Sequence, residues 1–134
     1  MALFAGIAAK PQIRLISLQK GEGSEQLDTC PFAVERLGDG YDSGPDSFLD
    51  AAAVIQVVDL VISCDTALAH LAGALARPVW VALKYAPDWR YLLNREDSVW
   101  YPSMRLFRQR RPGDWQGAFA GLETGIDAIL ASRL

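Results

Sequence analysis

Three features of the chain predict an α/β domain in which helices cover both faces of a mostly parallel sheet. The first is the stretch 59–83, DLVISCDTALAHLAGALARPVWVAL. In it the apolar run Leu60, Val61, Ile62 is followed by Leu68, Leu71, Ala72 and Leu75 at helical spacing, then by a second apolar run over residues 79–83. A strand, a helix and a strand in so short a space make a βαβ unit, which requires parallel pairing and a right-handed crossover. The second feature is the character of those runs. They are continuously apolar rather than alternating, as in strands buried on both faces. The third is a closing amphipathic stripe. Trp115, Phe119, Leu122, Ile126 and Ile129 fall at i, i+4, i+7, i+11 and i+14, which gives a helix one face to bury.

Composition sets the bounds. A length of 134 residues suggests one domain over 1–134, long enough for a real core. Hydrophobic residues make up 51% and charged residues 22%, as in ordinary globular proteins. The formal net charge of −3 provides no general basic field, so nucleic acid is not an expected partner. Cys30, Cys64 and the single histidine have no zinc-ligand spacing, and no metal or other cofactor is expected. Idle thiols suit a reducing compartment, hence an expected cytoplasmic location. The opening MALFAGIAAK is too short to span a membrane and lacks a cationic lead for a signal peptide. It reads as the tail of a helix that begins upstream.

The elements follow in order. Residues 2–9 are expected to form a short helix closed by Lys10 and Pro11, and residues 13–18 the first strand. Gln19, Lys20, Gly21, Glu22 and Gly23 form a loop in which two glycines let the backbone approach a ligand. Lys20 is then a mobile cation at a strand's carboxyl end, placed to neutralise phosphate. A solvated loop lysine is the alternative. Residues 24–28 suggest another short helix and 34–37 a second strand. The loop Gly38, Asp39, Gly40, Tyr41, Asp42 follows. Ser43, Gly44, Pro45 and Asp46 fit a helix start, with the helix reaching about Val58 and burying Phe48, Leu49, Ala52 and Ile55.

In the βαβ unit, Asp65 occupies the expected N-cap position and Pro78 stops the helix. Residues 84–91 then crowd Lys84, Arg90, Asp88, Tyr85, Trp89 and Tyr91 into one loop. Such aromatics can stack on a base or a sugar face, or Trp89 and Tyr91 can simply cover the core. Residues 100–103 read as a turn and 104–107 as the last strand. Arg108, Gln109, Arg110 and Arg111 read as a solvated edge. The final helix runs over residues 114–132, capped by Asp114. The sum is about five strands alternating with helices, a three-layer Rossmann-like domain.

The candidate site is the turn 64–67. A helix start carries unpaired N–H groups and the positive end of its dipole, so this turn can hold an anion. Thr66 adds a hydroxyl, and His70 lies one turn on, on the same side. The alternative is a capping aspartate and a surface histidine. Ligands of open parallel sheets bind beyond the carboxyl ends of the strands, where this turn must lie. No G-x-G-x-x-G, no G-x-x-x-x-G-K-[ST] and no G-x-S-x-G is present, which weakens dehydrogenase, P-loop and hydrolase readings.

LISLQKG, D-T-x-x-x-H-L-A-G-A-L, PDWRYLL and SVWYPSMRLFRQ together resemble the C-terminal part of bacterial tetratricopeptide-repeat glycosyltransferases. Those are similar to the heptosyltransferase-type family of the GT-B fold. The resemblance covers nearly the whole chain. It implies the second lobe of a two-lobed enzyme, binding a nucleotide-activated sugar without a structural metal. It implies that Lys20, Asp65 and Thr66 meet the donor diphosphate, that Gln19 is among the substrate-binding residues, and that His70 lies by the phosphate or the sugar. His70 and Lys20 would be the catalytic contributors. Gly38, Asp39 and Gly40 would border the nucleoside, with Asp88, Trp89 and Arg90 at the mouth of the cleft. Cys64 departs from the serine expected there. The N-terminal acceptor lobe, with the catalytic base, and the repeats are missing partners, so the lobe alone is expected to be inactive. Two rivals stand beside this reading: a non-catalytic interaction module, and another phosphate-handling α/β enzyme such as a sugar-nucleotide epimerase.

Overall fold

The computed structural model describes residues 1–132. Its helices are α1 (Ala5–Ala8), α2 (Leu49–Val57), α3 (Ala67–Ala74) and α4 (Trp115–Ser132). Its strands are β1 (Ile16–Ser17), β2 (Glu35–Arg36), β3 (Val61–Ser63), β4 (Val79–Leu83) and β5 (Met104–Arg108). Short 3₁₀ turns cover Ala2–Phe4, Ser24–Leu27 and Trp89–Tyr91.

All the strand pairs are parallel, but they form two ladders rather than one sheet: β1 with β2, and β3-β4-β5 in that order. The central strand β4 is buried along its whole length, as its continuous apolar run requires. The first two strands shrink to two residues each. Both residues of β2 are exposed, so little apolar burial holds that ladder together. An Arg14–Glu35 ion pair, with bonds of 2.8 and 2.9 Å, closes its end instead.

The pleat sorts β4 onto two cores. Val79, Val81 and Leu83 point to α2 and α3 with Ile55, Val61, Ala69, Ala72 and Leu106. Trp80 and Ala82 point to α4, with Ile7, Phe107, Phe119, Leu122 and Ile126. Leu18 packs on the first cluster, Ile13 and Leu15 on the second. The strand region around β1 therefore lies between the same two helical layers as β3, and the three-layer expectation holds.

Helix α4 follows its predicted stripe, and the Asp114 carboxylate caps it by accepting from Gly117 N–H at 3.0 Å. Helix α2 departs from expectation. It starts at Leu49, not near Ser43, and Phe48 and Leu49 are 45% and 64% exposed rather than buried. The reason is a cap from outside the expected motif. Asp42 accepts from Asp50 N–H at 3.1 Å, and Asp50 accepts from Asp42 N–H at 2.8 Å. Helix α3 stops before Pro78 acts. Ala76 N–H bonds to Gly73 O and Arg77 N–H to Ala72 O, both at 3.0 Å, with Ala76 at φ 54°. This is a Schellman ending.

Candidate functional site

The carboxyl ends of β3 and β4 open on a cleft of ≈ 500 Å³ lined by Asp65, Thr66, Ala67, His70, Trp89, Arg90, Trp100 and Tyr101. Its floor is the start of α3. Asp65 does not cap that helix, contrary to the sequence expectation. Its carboxylate instead accepts from the Tyr91 hydroxyl at 3.1 Å. Thr66 takes the N-cap position without a side-chain cap bond, and its hydroxyl lies 2.9 Å from Ser63 Oγ. The first backbone bond, Ala69 N–H to Thr66 O at 3.1 Å, leaves the amides of Ala67 and Leu68 ahead of the helical ladder. Both natural caps are thus turned aside, and the positive end of α3 lies uncovered beneath the cleft.

His70 stands one turn along α3, half-buried between two tyrosines. Its Nδ1 is 3.3 Å from the Tyr101 hydroxyl and its Nε2 a looser 3.5 Å from the Tyr91 hydroxyl. The Tyr91 ring stacks on the imidazole at 6.1 Å and the Tyr101 ring meets it edge-on at 5.8 Å. Burial, and then the Asp65 carboxylate, push the Tyr91 phenol above its ordinary pKa, so it stays a donor at neutral pH.

The outer wall comes from the Trp89–Tyr91 turn and residues 98–101. Asp88 caps the turn by accepting from Arg90 N–H at 3.0 Å and pairs with the Arg90 guanidinium at 2.8 Å. The Arg90 backbone N–H is the main cause that holds the Asp88 carboxyl below its usual range. Arg90 also lies over the Trp89 ring at 5.2 Å, and Trp100 Nε1 donates to Arg90 O at 3.1 Å. Trp89 and Trp100 meet edge-on at 6.4 Å, yet they stay 68% and 56% exposed. Of the two aromatics proposed to cover the core, Tyr91 does so, 2% exposed, and Trp89 does not.

The remaining predicted residues are elsewhere. Gln19, Lys20, Gly38 and Asp39 line a second hollow of ≈ 390 Å³, with Ser17, Arg36 and Tyr41, at the carboxyl ends of β1 and β2. The two hollows share no lining residue. Nor is the Lys20 amine free. It donates to Tyr41 O at 3.0 Å and to Asp42 O, which uses two of its three donors. Gln19 is likewise turned back onto Glu22 O at 2.6 Å. The expected site therefore divides into one group with Asp65, Thr66, His70, Trp89 and Arg90, and another with Gln19, Lys20, Gly38 and Asp39.

Residues 108–109 are not the solvated edge the sequence suggested. Gln109 is 4% exposed, and its Oε1 accepts from Tyr85 N–H at 3.2 Å and Gly113 N–H at 3.0 Å. Arg108 donates to Tyr91 O at 3.3 Å and Leu92 O at 2.9 Å. Together they fasten the loop that carries Trp89 and Arg90. Their place at the carboxyl end of β5 was the available signal. Trp100 and Tyr101 were read only as a turn; the density of aromatics over residues 85–101 was the clue to their role. Among the described residues no group of three or more His, Cys, Asp or Glu is placed to hold a metal. No described helix is long and apolar enough to cross a membrane.

Comparison with known proteins bears on the same region. The sequence model of glycosyltransferase family 9 (heptosyltransferase) matches residues 39–87, which carry α2, β3, α3 and β4 and so the floor of the cleft. The chain is also similar to protein FlbA of Caulobacter vibrioides, 32% identical over 136 residues. That match covers 97% of this chain and 22% of FlbA, so the chain spans about a fifth of its relative's length. No solved structure matches.

Proposed function

We propose that this chain is the donor-binding lobe of a glycosyltransferase of the heptosyltransferase kind, and that the cleft over α3 receives the diphosphate of a nucleotide-activated sugar. One observation carries the reading: the first turn of α3 is uncovered, inside the segment that matches the family. Glycosyl transfer breaks a sugar–phosphate bond, and negative charge builds on the leaving diphosphate. Amides fixed in advance at a helix start stabilise that charge more as it develops than in the ground state. The Arg90 guanidinium also lines this cleft and, though it pairs with Asp88 at 2.8 Å, has donors left for a phosphate. Trp89 and Trp100 offer ring faces to the base or the sugar. His70, between its tyrosines, is the group nearest the reacting centre on this lobe. The acceptor site and the base that deprotonates the acceptor belong to a second lobe, so the chain alone binds donor and transfers little sugar.

The second hollow would take the nucleoside, with Gly38 and Asp39 as its border and Lys20, which lines it, as the cation offered to the diphosphate. Calorimetric titration with UDP, ADP and GDP tests the whole reading. Heat at millimolar ligand is expected for at least one of them, and none for any of them refutes it. Lys20→Ala tests whether the hollows serve one ligand. Loss of one charge-assisted bond should weaken nucleoside diphosphate binding about tenfold or more. Nucleoside binding should not change; equal loss of both removes the lysine from the phosphate site. One observation favours the rival, a lobe that kept its fold as an interaction module without a ligand. It is the Lys20 amine, already bonded to the carbonyls of Tyr41 and Asp42.

A further inference from the structure

We propose that Tyr91 is a positioning residue, whose hydroxyl keeps the Asp65 carboxylate off the start of α3 and so keeps the Ala67 amide available to an anion. The inference rests on the donor-site reading for its purpose, but not for its geometry.

Aspartate bonds readily to the amide two residues on, and Asp65 stands two residues before Ala67. Left to local preference, the carboxylate would close on that amide. It would place a negative charge where the diphosphate is to sit. The observed carboxylate is drawn to a partner 26 residues away, the Tyr91 hydroxyl at 3.1 Å. Tyr91 can do this because it is itself immobile. Its ring is buried on the α2–α3 core, stacked on His70, and its carbonyl is held by Arg108. The charged and titratable groups around the pair are His70 on α3, Asp88 and Arg90 on the turn, and Tyr101 beyond the imidazole. None of them replaces the phenol as a donor to Asp65 in the structure. The Tyr91 hydroxyl thus decides whether Asp65 closes the helix start, while Thr66, the other cap, is held by Ser63 Oγ at 2.9 Å.

The test compares the parent chain, Tyr91→Phe, Asp65→Ala and the double variant. Tyr91→Phe keeps the ring and removes only the hydroxyl. The freed carboxylate should then close on α3, which slows amide hydrogen exchange at Ala67 about five- to tenfold, the worth of a side-chain cap. Nucleoside diphosphate affinity should fall by a similar factor. With Ala at position 65, Tyr91→Phe should change neither quantity, a result that a purely packing role for Tyr91 would not give. Asp65→Ala alone should leave Ala67 exchange as in the parent chain; faster exchange there means that Asp65 was covering the amide, and overturns the proposal without the tyrosine variant. Unchanged exchange in Tyr91→Phe, or the same change with and without Asp65, also overturns it. If the parent chain binds no nucleoside diphosphate, the donor reading falls, while the exchange comparison still decides the role of Tyr91.

Discussion

Replacing Gly73 with alanine probes how α3 meets the aromatic wall of the cleft. Gly73 is buried on the helix, and an added Cβ would stand 2.5 Å from Tyr101 Cγ, 2.8 Å from Cδ2 and 2.9 Å from Cβ. Comfortable carbon contacts start near ~3.5 Å, so the root of the tyrosine side chain would have to retreat by about 1 Å. It has little freedom to do so. The Tyr101 hydroxyl is 3.3 Å from His70 Nδ1, and its amide donates to Ser98 Oγ at 3.3 Å. Two terms oppose each other. Alanine is favoured over glycine within a helix by about 1 kcal/mol. Overpacking costs about 1–3 kcal/mol. The net expectation is a loss of about 0–2 kcal/mol, with His70 separated from Tyr101. In a Tyr101→Ala background the clash disappears, and the same substitution should stabilise by about 1 kcal/mol. The coupling between the two sites is then about 1–3 kcal/mol. Urea unfolding of the four proteins measures it, provided the slope stays constant. Stabilisation of the parent chain by about 1 kcal/mol, or equal effects in both backgrounds, would refute the packing described here.

Two further expectations concern the ending of α3 and the turn that carries Arg90. Ala76 closes α3 in a left-handed conformation, φ 54°, that costs a residue with a Cβ about 1–2 kcal/mol. Ala76→Gly should therefore stabilise by about 1 kcal/mol, seen as a higher urea midpoint; a lower one would mean that the ending is built differently. Asp88 has its carboxyl pKa lowered in the fold, so its contribution to stability is present above about pH 4 and is lost as pH falls through the lowered value. The leading cause is a backbone N–H, which any residue at position 90 other than proline retains. Arg90→Ala should therefore keep part of the lowering in a carbon-detected NMR titration. Return to the ordinary value would place the whole effect on the guanidinium.

Local pattern was enough for much of this domain. The βαβ unit and α4 were legible because their information is a period read within one segment, and burial later matched it: five buried residues in β4, and Phe119, Leu122 and Ile126 in α4. The place of the candidate cleft was legible too, because parallel strands put their exit loops at one end. Strands β1 and β2 were overestimated, since apolar residues near a strand say little about how many partners it will find. The start of α2 was misplaced because its cap, Asp42, lies outside the motif that the sequence offered.

By itself, then, the order of residues determined the layers, the direction of the strands and, to within one residue, the helix start on which the functional reading rests. Only the tertiary structure decided which side chains meet there. Asp65 abandons its helix for a hydroxyl 26 residues away, His70 finds a partner 31 residues away, and Lys20 is claimed by loop carbonyls. The physical reason is range. A helix or strand period is satisfied within a few residues, whereas a polar side chain takes whichever partner the packing of distant segments brings within about 3 Å.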